Sequence, residues 1–241
     1  MTYCVGLLLD AGMVLLSDTR TNAGLDNIST YKKMFTFERP GERVITVMTA
    51  GSLSVTQTTI AQLREAIDDP EATADQSIML APTMLKVAEI IGATLARVRS
   101  SINAKMEMSQ VSTSASMIVA GQRQDGAMRM FLVYPEGNFI EATEDTPFLQ
   151  IGEHKYGKPI LDRVVRMSTS LDDAKKAVLL SMDSTLRSNL SVGMPLDLAV
   201  IRKGALCLGE TTRIEAQDPQ FMAMSQAWSD VLRDGFSEIQ I

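Results

Sequence analysis

The opening stretch TYCVGLLLDAGMVLLSDTR restricts the fold of this chain more than any other part of it. Two apolar runs, residues 3–9 and 13–17, flank Asp10-Ala11-Gly12, a turn signal that joins strands into a hairpin. A hairpin with one wet face alternates apolar and polar side chains. These runs are continuous, so both faces of their sheet must be covered.

The rest of the chain supplies the covers. Residues 33–37 and 44–49 read as strands joined through Arg39-Pro40-Gly41-Glu42, and the Asn-, Gly-, Ser- and Thr-rich segment 21–31 reads as a loop. A helix is predicted over 51–67, where Ile60, Leu63 and Ile67 keep helical spacing. Another is predicted over 82–98, with Met84, Val87, Ala88, Ile91, Leu95 and Val98 on one face and Pro82 near its first turn. An acidic loop, 68–75, separates them. Strands return at 116–122 and 128–135 around Asp125-Gly126, with shorter ones at 138–142 and 147–151. Two helices follow, 158–167 and 171–189, the second opened by Ser170 with Asp173 three residues on. Strands at 196–202 and 207–214 precede a last helix capped by Asp218-Pro219 and carrying Phe221, Met224, Trp228 and Val231.

Turns this short favour antiparallel strands. Antiparallel strands dry on both faces, with helices grouped in pairs, predict two packed sheets, each covered outside by a helix layer. No linker, repeat or compositional break interrupts residues 1–241, so one domain is expected. The 16 methionines are read as core and interface filling.

Composition then narrows the chemistry. With 23 Lys+Arg against 29 Asp+Glu, the net charge of -6 argues against a nucleic-acid partner. No apolar run reaches the roughly 18 residues of a membrane helix, so no membrane association is expected. Cys4 and Cys207 are too few for a disulfide framework and stand in no zinc-ligand spacing. The amino terminus has no positive region ahead of its apolar stretch, so a cytoplasmic location is expected. The one histidine, His154, rules out a two-His metal site and is the only candidate base for a Ser-His-Asp triad; it reads as a polar loop residue. Asp172 and Asp173 answer the dipole of the helix they open. Asp68, Asp69 and Glu71 have no ligand spacing. No metal and no cofactor are expected.

A chain this poor in histidine can still run acyl transfer from its amino terminus. Initiator Met is removed when the next side chain is small, and Thr2 is small. A terminal threonine carries its own base, because its α-amine has an ordinary pKa of about 7.7–8.0 and can take the hydroxyl proton. Asp18 ends the second apolar run and could hold an ammonium partner. Lys33 opens the next strand, and its charge would lower the amine pKa and steady an alkoxide. Thr49-Ala50-Gly51-Ser52 lies where a strand yields to a helix, a place whose backbone N–H groups suit an oxyanion.

In order and spacing, Thr2, the SDTR of residues 17–20, the Lys32-Lys33 pair and the TAGS of residues 49–52 resemble the proteasome-type threonine peptidases, which include proteasomal β subunits and HslV. The longer phrases SDTRTNAGLDNISTYKKMF, IGEHKYGKPILDR and STLRSNLSVGMPLDLAVI are similar to the bacterial Anbu branch of that superfamily, and the likeness runs along essentially the whole chain. The resemblance implies an α+β, four-layer αββα sandwich of two antiparallel sheets, the N-terminal nucleophile hydrolase fold. It implies Thr2 as nucleophile and base, Asp18 and Lys33 as the paired charges beneath it, Gly51 as oxyanion donor and Arg20 as support for the Asp. Lys33 is preferred to Lys32 because it directly precedes the strand.

The pattern also departs from proteasomal β subunits. Their Gly-Ser-Gly is replaced by Gly152-Glu153-His154, and their Asp and Ser before a Gly-Gly align with Ser188 and Ser191. Asp183 is a candidate replacement carboxylate but reads as a surface charge. The expected activity is endopeptidase cleavage of peptides or unfolded proteins inside a ring or helical homo-oligomer. A small-molecule amidase of the same chemistry and a weakly active or inactive scaffold are the alternatives. The chain has no P-loop of its own, and an unfoldase partner is left open.

Overall fold

The computed structural model describes residues 2–22, 28–105 and 112–240; Met1, whose removal the sequence reading requires, lies outside them. The opening hairpin is β1 (Tyr3–Leu9) and β2 (Gly12–Asp18). Then β3 (Arg20–Asn22) and β4 (Ile28–Thr30) form a small antiparallel ribbon in the segment whose composition predicted a loop. The β-branched Thr21 and Thr30 occupy paired positions in it, while the glycine of this segment falls in 23–27, outside the described residues.

The chain continues through β5 (Met34–Arg39), β6 (Arg43–Gly51), α1 (Leu53–Asp68) and α2 (Met84–Lys105). Four strands follow: β7 (Ala115–Arg123), β8 (Arg129–Val133), β9 (Phe139–Glu141) and β10 (Phe148–Gly152). The last elements are α3 (Lys158–Val164), α4 (Leu171–Ser188), β11 (Leu196–Arg202), β12 (Glu210–Ile214) and α5 (Pro219–Glu238).

Two five-stranded sheets result, in the orders β10-β1-β2-β11-β12 and β5-β6-β7-β8-β9, and their pairings are antiparallel. The continuous apolar runs are explained by three separate apolar layers. On β1, Tyr3, Val5, Leu7 and Leu9 face α3 and α4, while Cys4 and Leu8 face the other sheet. On β2, Val14 and Leu16 point to the helices, and Met13 and Leu15 point between the sheets. The usual period of two is intact, but both faces are dry. Met13, Met34, Met48 and Met130 fill the layer between the sheets, where an unbranched side chain adapts to the twist. On the far side, α1 and α2 cover the second sheet through Val55, Ile60, Leu63, Val87, Ile91, Leu95 and Val98. The architecture is an αββα sandwich.

Local signals agree with these elements. Ser170 caps α4 by accepting the Asp173 N–H at 3.1 Å, and its hydroxyl donates to the Asp173 carboxylate at 2.9 Å. The inward stripe of α4 is Leu171, Ala174, Ala177, Val178, Ser181, Met182 and Thr185. Asp183 corrects the surface reading: it is buried, accepts from the Arg187 guanidinium at 3.1 Å and from Ser225 Oγ at 2.7 Å, and so fastens α5 to α4.

Candidate active site

Four chain segments converge at one end of the sandwich. The register Cys4↔Ser17 brings the start of β1 beside the end of β2. The register Met34↔Met48 brings the start of β5 beside the end of β6. The two strand pairs belong to different sheets, and a buried ion pair joins them.

That pair is Lys33 Nζ to Asp18 Oδ1 at 2.8 Å, with side chains 6% and 0% exposed. The ammonium also donates to the Arg20 carbonyl at 2.6 Å. Asp18 has further donors: the Tyr3 N–H reaches Oδ1 at 3.1 Å and the Gly193 N–H reaches Oδ2 at 3.3 Å. Burial pushes the Asp18 carboxyl above its ordinary pKa, while Lys33 and the two backbone donors pull it down. Lys33 is tied in turn to the second sheet, because its carbonyl accepts the Thr49 N–H at 2.9 Å.

Thr2 is held beside this pair through its backbone. The peptide N–H after it is held by Asp18, and its carbonyl accepts the Glu153 N–H at 2.7 Å. The residue is buried. Gly152 has φ +81°, and a Cβ there would stand 1.8 Å from the Thr2 carbonyl oxygen, so only glycine lets β10 approach this closely. Gly51 ends β6 two residues beyond Thr49, with φ +101°; a Cβ there would stand 2.3 Å from the Ser114 carbonyl oxygen.

Arg20 contacts the turn whose backbone reaches Asp18. Its guanidinium donates to the Leu190 carbonyl at 3.1 Å and packs on Gly193, the residue whose N–H reaches Asp18. The geometry therefore brings Thr2, Asp18, Lys33 and Arg20 together, with Gly51 at the neighbouring strand end. The two serines are placed differently. Ser188 is exposed on the last turn of α4, and Ser191 is half-buried with its N–H on Asn189 Oδ1 at 2.9 Å. In that turn the contact to Asp18 comes from Gly193. His154 is exposed, with its ring Nδ1 3.1 Å from the Gly152 carbonyl.

Sequence reasoning missed Gly193, Gly152 and a polar network around Tyr3. The Tyr3 hydroxyl lies 2.6 Å from Ser181 Oγ and accepts from Gln150 Nε2 at 2.6 Å. Burial pushes the phenol up to about 12. This network anchors the side chain next to Thr2 under α4. A tyrosine inside an otherwise aliphatic run was its only sequence signal, since a buried hydroxyl needs a partner. Cys4 is fully buried against the Thr49 carbonyl, and burial pushes its thiol well up, so it is chemically inert.

A cleft of about 440 Å³ opens between the sheets on the other side of this end, lined by Lys32, Met34, Thr36, Asp197, Ala199 and Arg213. It belongs to neither Thr2 nor Gly51. Among the described residues no group of three or more His, Cys, Asp or Glu side chains is placed to hold a metal ion. No helix of the described residues is long and apolar enough to cross a membrane.

A family model described as proteasome subunit matches residues 2–201. Among solved structures, the chain is similar to an Anbu (Gly-1) mutant from Hyphomicrobium sp. strain MC1, at 45% identity over 100% of this chain and 99% of that one, TM-score 0.92. It is similar to Anbu, described as an ancestral β-subunit, from Yersinia bercovieri, at 41% identity over 99% and 97%, TM-score 0.92. A third similar structure is the helical assembly of the Anbu complex from Pseudomonas aeruginosa, at 42% identity over 99% and 97%, TM-score 0.93. No match is found among curated proteins.

Proposed function

The chain belongs to the proteasome subunit family, in its Anbu branch, and from that premise we propose that it is a threonine peptidase whose nucleophile is Thr2 after removal of Met1. The observation that carries this reading is the buried Lys33–Asp18 pair at 2.8 Å, with the peptide N–H after Thr2 on the same carboxylate oxygen. A fixed positive charge under the amino terminus lowers the pKa of its amine and keeps a fraction neutral near pH 7.

The free amine takes the proton of Thr2 Oγ as the oxygen attacks the scissile carbonyl. The N–H of Gly51 stabilises the oxyanion, on a backbone conformation that glycine alone adopts without strain. The ammonium then protonates the leaving amine, and an acyl-enzyme ester forms on Oγ. Water, deprotonated by the same amine, releases the acyl group. Asp18 holds Lys33 in place and does not exchange a proton with the substrate. The substrates are peptides or unfolded chains, and the sites work within a homo-oligomer, as the helical assembly described for the Pseudomonas relative supports. The described chain needs no metal or cofactor for these steps.

The test is the intact mass of purified protein before and after an electrophile that closes a ring on both the amine and the hydroxyl of a terminal threonine. A species lighter by one methionine that gains the electrophile's mass supports the mechanism, and Thr2→Ala must abolish the gain. Retention of Met1 turns the Thr2 nitrogen into a peptide amide, leaves Thr2 no amine of its own to act as base, and would move the assignment to a scaffold. A trimmed chain that refuses the electrophile would locate the failure in the two turns around Glu153 and Gly193.

A further inference from the structure

The two sheets are not closed against each other along one side. There β12 is the edge strand of the first sheet and β5 the edge strand of the second, and the cleft of about 440 Å³ lies between them. That volume falls among those of small-molecule sites, about 300–1,000 Å³. Glu38 of β5 accepts the Leu208 N–H, on the segment leading into β12, at 2.8 Å. The two edges are therefore tied together beside the cleft, and its shape is set before anything enters.

The floor of the cleft holds polar atoms that nothing satisfies. Asp197 of β11 stands opposite Ser17 of β2 in the register, so their side chains share the face that looks between the sheets. Asp197 Oδ2 and Ser17 Oγ are both buried, and neither has a hydrogen-bond partner. Among the described residues four buried side-chain polar atoms stand so, and two of them are these neighbours. Unpartnered buried acceptors are costly, and this pair calls for a donor. The other oxygen of Asp197 is held loosely. Arg213 Nη1 reaches Oδ1 at 3.4 Å, while Nε of the same guanidinium lies 3.4 Å from Glu215. Burial raises the Asp197 carboxyl above its ordinary pKa and Glu215 adds to the rise, whereas Arg213 and Lys32 draw it down.

The mouth has the opposite sign. Lys32 is exposed, and the Arg213 side chain is 46% exposed against 17% for Asp197. Between floor and mouth, Met34, Ala199 and Leu208 supply an apolar wall. An ammonium suits the floor, because it brings three N–H donors and the charge that Asp197 lacks beside it. A bare metal ion does not suit it: two oxygens are too few, and two cations stand near. A carboxylate suits the mouth, where a guanidinium can take it with both arms.

We propose that this cleft is a second ligand site, which takes a small zwitterion with an apolar side chain, a free α-amino acid or a dipeptide. The ammonium lies on Asp197 and Ser17, the carboxylate on Arg213 and Lys32, and the side chain on the apolar wall. The site shares no residue with the chemistry proposed at Thr2, so the two readings fail separately.

Titration calorimetry of the full chain with leucine and with alanyl-leucine tests it, in wild type and in Thr2→Ala, where binding at the cleft is expected to persist. For whichever probe binds, its N-acetyl form, which lacks the ammonium, and its amide, which lacks the carboxylate, should each bind about tenfold more weakly. Asp197→Asn should weaken the probe about tenfold and leave its N-acetyl form as it was. Lys32→Gln changes an exposed residue that folding does not require; it should weaken the probe several-fold and leave the amide as it was. That comparison decides the matter even if Asp197→Asn fails to fold. No heat from either probe at about 10 mM in wild type overturns the proposal and leaves the orphan pair to water. Binding that neither acetylation nor Asp197→Asn alters overturns it as well. Binding lost in Thr2→Ala belongs to the Thr2 site and also overturns it.

Discussion

Replacing Lys33 by Met removes a charge, keeps most of the side-chain volume and isolates what the buried pair does. Asp18 has a fully buried side chain and Lys33 is almost as covered, so neither can turn to water when its partner is lost. Breaking such a pair from one side costs about 3–5 kcal/mol, because a carboxylate is left in a dry site. The Tyr3 and Gly193 N–H groups still serve that carboxylate, which keeps the loss toward the lower end. The sign with pH follows from linkage. Burial already raises the Asp18 pKa, and Lys33 is the largest influence opposing it. Without Lys33 the folded-state value climbs further above the unfolded value of about 3.9. The folded chain then holds its proton to higher pH than the unfolded chain, so stability falls as pH rises between the two values. Urea unfolding of wild type and Lys33→Met from pH 5 to pH 9, at one fixed protein concentration, should show a deficit that grows with pH. It should reach about 3 kcal/mol at the alkaline end, or roughly 10 °C in thermal midpoint. Adding Asp18→Asn to Lys33→Met should recover part of the loss. A deficit below about 1 kcal/mol, or one flat across the range, would refute the claim that the pair is sealed from water.

Gly152→Ala forces a Cβ toward the Thr2 carbonyl oxygen at a positive φ, and steric overpacking plus backbone strain should cost about 3 kcal/mol, with peptide hydrolysis falling more than the stability change explains; a variant of wild-type activity would mean β10 does not fix Thr2. Tyr3→Phe strands Ser181 and Gln150 and should cost about 1–2 kcal/mol in urea unfolding, against near zero if the hydroxyl is dispensable. His154→Ala should change neither unfolding, by more than about 0.5 kcal/mol, nor the pH profile of hydrolysis, because the ring is exposed; loss of an ionisation from that profile would return His154 to the chemistry.

The sandwich was legible because the opening hairpin leaves no wet face, and the order of strands and helices then admits few stackings. What the sequence could not convey was the ribbon of β3 and β4. Its strands are three residues long and its composition is that of a loop, so pairing there is decided by register rather than by local preference. Asp18 and Lys33 were legible as a motif, since each stands at a strand boundary. Gly193 was not: its contribution is a backbone N–H, which carries no side-chain signature. Ser188 at the end of α4 and Ser191 just past it lie near the Gly193 turn, and the group of that turn that reaches Asp18 is the Gly193 N–H. Asp183 was misread for a related reason. A carboxylate on α4 looks solvated until α5, distant in sequence, arrives to cover it.

The placement of the ion pair suggests why a costly buried charge is kept. A hydrophobic pair of similar volume between two sheets would be at least as stabilising. It would also tolerate sliding, because apolar contacts are nearly indifferent to small shifts. Lys33 and Asp18 do not tolerate it. The carboxylate must meet Tyr3 of the first sheet's β1, Lys33 at the start of the second sheet's β5, and Gly193 of the turn before β11. Those three donors lie on segments far apart in sequence, so the pair is satisfied only when both sheets and the turn stand in one mutual register. A slip of one residue in β1 would turn Tyr3 toward the other sheet and take its hydroxyl away from Ser181. The charge proposed to condition the terminal amine thus also fixes where the terminus sits, and Arg20 extends that constraint by bracing the turn that carries Gly193.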